Sequence, residues 1–155
     1  MPDDTNAVIG MYAYDVFVRD MCTGAQAGCF PSTTRVSVSD AGAQLASTSG
    51  GGSMTPDSRY VAMWSALTTS SPAGTVGFFD GFVRETCLGQ WATGCTPHMV
   101  KVTVGPGGVQ GNGDSNAPKL SADGHYAVFS STASNLVAGD TNGVKDIFIA
   151  ATGKP

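Results

Sequence analysis

The sequence predicts an all-β protein made of units of four short strands, about two and a quarter repeats of them, not closed within one chain. Three observations carry that expectation. Short runs of β-branched and aromatic residues return at a nearly constant offset, Gly fills 21 of the 155 positions at the breaks between them, and charged residues are only 13%. With 41% apolar residues, disorder is excluded.

The offset is read directly. Tyr14-Asp15-Val16-Phe17-Val18-Arg19-Asp20-Met21-Cys22 returns 65 positions later as Phe79-Asp80-Gly81-Phe82-Val83-Arg84-Glu85-Thr86-Cys87. A third copy is Lys145-Asp146-Ile147-Phe148-Ile149, 66 positions further on. Thr34-Arg35-Val36-Ser37-Val38 matches Val100-Lys101-Val102-Thr103-Val104, and Thr55 to Met63 matches Ser121 to Phe129. Several anchors sharing one offset make chance a weak explanation. The organisation is one repeat domain over residues 1–155, with a partial repeat at 1–48, a full one at 49–114 and a partial one at 115–155.

Each repeat has the makings of four short strands. A polar turn such as Ser121-Ala122-Asp123-Gly124 supplies the positive-φ residue of a tight hairpin, with a short strand before it and Tyr126 to Ser130 after it. A long loop leads to the Asp-x-Phe strand, apolar on both faces as a strand covered on each side should be. A loop carrying two cysteines then leads to Arg-Val-Ser-Val or Lys-Val-Thr-Val, whose alternation suits a more outward strand. Asp40 to Ser47 could pass for a short helix, but its counterpart Pro106 to Gly113 cannot, so both read as loops.

The run Ser121-Ala122-Asp123-Gly124-His125-Tyr126-Ala127-Val128-Phe129-Ser130-Ser131, followed through Asn135-Leu136-Val137 and Asp140-Thr141-Asn142-Gly143 to Asp146-Ile147-Phe148, resembles the repeat of bacterial exported β-propellers of the TolB-like, WD-like class. The resemblance covers nearly all of the chain and is most specific at residues 118–149. The middle repeat departs from it, carrying Gly74-Thr75-Val76 where the third has Asp140-Thr141-Asn142. It implies four-stranded blades around an axis and no shared catalytic residues.

Strand counting gives the last two strands of one repeat, four of the next and three of a third, beginning inside a repeat at Met1 to Asn6. Blades cannot bury their faces alone, so the partners expected are other copies of the chain or the remaining blades of a larger propeller. The Asp146 to Ile149 strand duplicates the role of Asp15 to Val18, so closure within one chain leaves a strand over. That surplus favours association, including open head-to-tail polymers.

Composition narrows the rest. Net charge is −4, from 12 acids against 8 scattered bases, which argues against nucleic acid as a partner. No run approaches the roughly 18 apolar residues of a spanning helix, so membrane insertion is not expected. The start of the chain lacks the basic and apolar segments of a signal peptide. Cys22 with Cys29 and Cys87 with Cys95 read as local disulfides, each contributing roughly 2 to 3 kcal/mol in the chain-entropy model. Zinc is the rival, but structural zinc sites bring cysteines two to four residues apart, and neither pair does so. Disulfides place the chain in an oxidising, extracellular or periplasmic location.

One constellation has metal chemistry. Asp140, Asn142 and Asp146 set oxygen side chains around a Gly turn, like the start of a Ca2+ loop, although no bidentate Glu follows. Asp4, Asn6 and Asp15 form a looser second copy. The competing reading is that Asp140 and Asn142 bond their own backbone in Asx-turns.

Catalysis has little to stand on: two histidines, His98 and His125, the latter in a variable turn, and no Gly-x-Ser-x-Gly elbow. The Gly105 to Gly111 run lacks the following helix a phosphate cradle needs. Trp64 and Trp91 read as packing or subunit contacts rather than sugar platforms. The functional expectation is a noncatalytic exported structural module that self-associates through incomplete blades, stiffened by Ca2+ or forming filaments. The alternatives are a C-terminal fragment of a larger propeller binding protein or glycan, and the propeller accessory of an exported hydrolase.

Overall fold

The computed structural model describes residues 13–23, 28–66, 78–88 and 93–153. Among these residues lie nine strands in three antiparallel sheets and no α-helix. The first sheet pairs β1 (Phe17–Asp20) with β2 (Ser32–Arg35). The second runs in chain order through β3 (Ser49–Met54), β4 (Tyr60–Ser65), β5 (Asp80–Glu85) and β6 (Met99–Lys101). The third holds β7 (Ser115–Leu120), β8 (Tyr126–Ser131) and β9 (Asp146–Ala151). None of the three sheets closes on itself, and their order of two, four and three strands is consistent with an incomplete propeller-like arrangement.

Period-two alternation splits the middle sheet between two cores. Tyr60, Ala62 and Val83 face the third sheet and meet Ala127, Phe129, Ala133 and Leu136. Val61, Met63 and Phe82 face the first sheet and meet Val16, Val36 and Leu45. All of β5 is buried, Phe82 and Val83 in the two cores and the charged Asp80, Arg84 and Glu85 against polar partners. β9 has only one covered face, with Phe148 and Ala150 packed inward and Ile147 and Ile149 outward.

The turns repeat atom by atom. Thr55 and Ser121 each accept the amide of the tyrosine five residues on and donate their own backbone N–H to its carbonyl. The residue needing positive φ is Ser58 in one turn (60°) and Gly124 in the other (75°). The central glycines of β3 answer to close approach: a Cβ on Gly50 would fall within the Trp64 ring, and one on Gly52 would lie 2.0 Å from the Pro118 carbonyl oxygen. Asp40 to Ser47 is a loop and its counterpart a loop with one 3-10 turn at Pro106–Gly108, closed by single bridges between Val38 and Gln44 and between Val104 and Gln110.

The Val-Ser-Val and Val-Thr-Val segments differ from expectation. The ladders end at Arg35 and Lys101, and Ser37 and Thr103 lie fully buried instead of facing outward. Past the ladder, Val36 and Val102 still donate their amides to the Val16 and Gly81 carbonyls, while the return amides of Val16 and Gly81 go to the Ser37 and Thr103 hydroxyls.

Candidate functional site

The repeat places one carboxylate at the head of each Asp-x-Phe strand: Asp15, Asp80 and Asp146. Around Asp80, Thr103 Oγ1 donates at 2.8 Å, Lys101 Nζ lies at 2.8 Å and Gln110 Nε2 donates at 3.1 Å. Around Asp15, Ser37 Oγ donates at 2.7 Å, Gln44 Nε2 donates at 2.8 Å and Arg35 Nε lies at 3.5 Å. Both carboxylates are almost wholly enclosed, with side chains 1% and 5% exposed. The bases also lie over aromatic rings, Arg35 at 5.6 Å from the Phe17 centroid and Lys101 at 5.6 Å from that of Phe82. Three donors meeting on each buried carboxylate hold its strand in one register.

Asp146 keeps different company. Asn142 Nδ2 donates to it at 2.8 Å, and Asn142 Oδ1 accepts the Val144 amide at 3.0 Å, an Asx-turn of the kind set against calcium above. Asp140, Asn142 and Asp146 line one open depression of about 490 Å³ that runs on to Ile147 and Ile149. Asp4, Asn6 and Trp91 lie outside the described residues. Asp15 is turned into the first core against Ser37, Gln44 and Arg35, where its oxygens are already engaged.

The cysteines pair as expected, Cys22 with Cys29 and Cys87 with Cys95, in equivalent loops and with equivalent positive φ at Cys22 and Cys87. Asp20 approaches the first pair closely enough to suggest a metal group, but bridged sulfurs offer no thiolate and Asp20 Oδ1 accepts the Cys22 amide.

Two further charged clusters went unread in the sequence. Glu85 accepts from Arg59 Nε at 2.6 Å and faces His98 Nδ1 at 3.2 Å, with the Tyr60 hydroxyl at 3.5 Å. The bond to Glu85 raises the Arg59 pKa, while burial foremost raises that of Tyr60. This cluster occurs in the middle repeat alone, since Asp20 and Ala151 occupy the glutamate's equivalent positions. Arg84 donates to the Val38 and Ser39 carbonyls at 2.9 and 3.2 Å, tying the first sheet's loop to the middle sheet. Burial lowers its pKa, partly offset by Asp40. Trp64 packs edge-on against Phe79, with centroids 4.9 Å apart, a packing role.

Among known proteins, the chain matches no family model, no curated protein and no solved structure. No helix among the described residues is long and apolar enough to cross a membrane.

Proposed function

We propose that this chain is a noncatalytic structural module of an oxidising compartment that self-associates through its incompletely covered sheets. The observation that carries the reading is the outer face of the third sheet, where Tyr126, Ile147 and Ile149 are 51%, 72% and 68% exposed. Its counterpart in the middle sheet, formed by Tyr60, Ala62 and Val83, lies buried beneath the third sheet. The two faces are chemically alike, so the occupant that suits the outer one is another blade, borne by a second copy. Contiguous exposed apolar surface of this kind marks an interaction site. The disulfides support the compartment, and the approach of both histidines to carboxylates supports a structural role for them. Asn142 spends its oxygen and its amide within the loop, which supports the turn reading of this segment over a Ca2+ site.

Size exclusion with light scattering tests this. The expected result is a mass well above the 15.7 kDa of one chain, falling to that value in the Tyr126→Glu, Val128→Glu double variant with its β circular dichroism retained. A wild-type chain that stays monomeric at every concentration, or a double variant that assembles unchanged, overturns the reading.

A further inference from the structure

We infer that the outer edge of β9, with Asp146 at its head, is a docking site for one further β-strand, carrying the pattern Arg/Lys-Val-Ser/Thr-Val with Gln seven residues beyond the hydroxyl. The inference rests on the assembly reading for its view of the third sheet as incomplete, and it names the partner's chemistry.

Two occupied examples of the same site stand in the molecule. β1 is flanked by Arg35-Val36-Ser37-Val38 with Gln44, and β5 by Lys101-Val102-Thr103-Val104 with Gln110. In each, the base pairs opposite the strand's phenylalanine, Arg35 with Phe17 and Lys101 with Phe82. In each, the valine after the base donates its amide to the carbonyl one residue past the aspartate, at 2.8 Å for Val36 to Val16 and 2.9 Å for Val102 to Gly81. In each, base, hydroxyl and glutamine converge on the aspartate.

β9 repeats the receiving half in full. Asp146, Ile147 and Phe148 occupy the places of Asp80, Gly81 and Phe82, β8 pairs along one edge, and no strand among the described residues lies along the other. An incoming strand of this pattern therefore sets its base opposite Phe148, gives its next amide to the Ile147 carbonyl and brings its hydroxyl to Asp146. Main-chain bonding supplies affinity and the charged, hydroxylated pattern supplies selectivity, the division of labour in strand addition. Charge complementarity favours a basic strand here, because the receiving position is a carboxylate.

The test uses the full chain and a fluorescein-labelled peptide of its own residues 99–111, read by anisotropy. Saturable binding is expected, weakened at least about tenfold by Lys101→Glu or Thr103→Ala in the peptide. Asp146→Asn in the chain should weaken it similarly, and amide shifts should concentrate at Ile147 and Ile149. Failure to bind up to millimolar peptide, or equal binding of the altered peptides, overturns the inference; because the altered peptides leave the chain untouched, misfolding of the Asp146 variant cannot obscure the answer. Assembly that is lost in the Tyr126→Glu, Val128→Glu variant while no peptide binds leaves the assembly reading standing and this one refuted. Peptide binding to a chain that never assembles does the reverse.

Discussion

Replacing the three repeated aspartates by alanine, one at a time, should produce three different losses of stability. Asp80→Ala removes the acceptor for Lys101, Thr103 and Gln110 at a position 1% exposed, leaving an ammonium whose side chain is only 15% exposed without its counter-charge. Breaking a buried pair from one side costs about 3–5 kcal/mol, and the stranded hydroxyl and amide donors keep the value toward the upper part of that range. Asp15→Ala loses the same kinds of partner, but Arg35 is the more distant at 3.5 Å and its sheet has only two strands, so about 2–3 kcal/mol is expected. Asp146→Ala loses one bond from an exposed asparagine and should cost under about 1 kcal/mol.

Urea unfolding followed by far-UV circular dichroism measures all three, at one chain concentration because the proposed assembly would add to apparent stability. A loss of about 4 kcal/mol is a large share of the roughly 5–15 kcal/mol that holds a domain folded, so the Asp80 variant should show a much lower urea midpoint. Equal losses at all three positions would refute the idea that the fourth-strand partners are what make this carboxylate matter. So would a loss at Asp146 exceeding that at Asp80.

Two predictions concern exposed loops. Asp123 has its pKa lowered from 3.8 to about 2, first by the Ser121 hydroxyl and then by the His125 amide. A depressed carboxylate stabilises the fold above its unfolded pKa and loses that contribution as pH falls through the folded value, so the turn from Ser121 to Gly124 should loosen between about pH 4 and pH 2. An NMR titration of the Asp123 carboxyl with a midpoint near 4 would contradict this. Chelation should leave the melting temperature unchanged; a rise on adding Ca2+ that disappears in Asp140→Ala would reinstate the metal loop.

Much of the fold was legible because a repeat samples the same physics more than once. The shared offset located β5, β8 and β9, the hairpin turns and both disulfides, and strand counting anticipated sheets of two, four and three. The site was less legible. Asp15 read as a metal ligand because neighbouring oxygens in sequence suggest coordination, whereas its partners Ser37 and Gln44 arrive from a different strand and a loop. Ser37 and Thr103 looked like outward residues of an alternating strand, and nothing local announces that the ladder ends one residue before their valines. The available signal was the co-occurrence of base, hydroxyl and glutamine at constant spacing in two repeats, which alternation alone does not weigh. The Glu85 cluster lacked even that, being confined to one repeat.

The repeated polar set also solves a problem that apolar strands leave open. Val-rich segments such as 36–38 and 102–104 pair readily with any similar edge, and hydrophobic burial by itself tolerates a slip of two residues, which keeps the same face inward. Such a slip would set Lys101 or Gly105 in the place of Thr103 beside Asp80 and move the partners about 7 Å along the strand, breaking up the set of three donors. The cost of an incomplete donor set around a buried carboxylate then falls on every register but one. The same discrimination operates between sheets: a strand lacking the base or hydroxyl meets Asp15 or Asp80 with nothing to give. In the docking proposal Asp146 extends that selectivity to the one Asp-x-Phe strand whose outer edge carries no neighbour among the described residues, which would make association there directional and sequence-selective where apolar contact alone would be promiscuous.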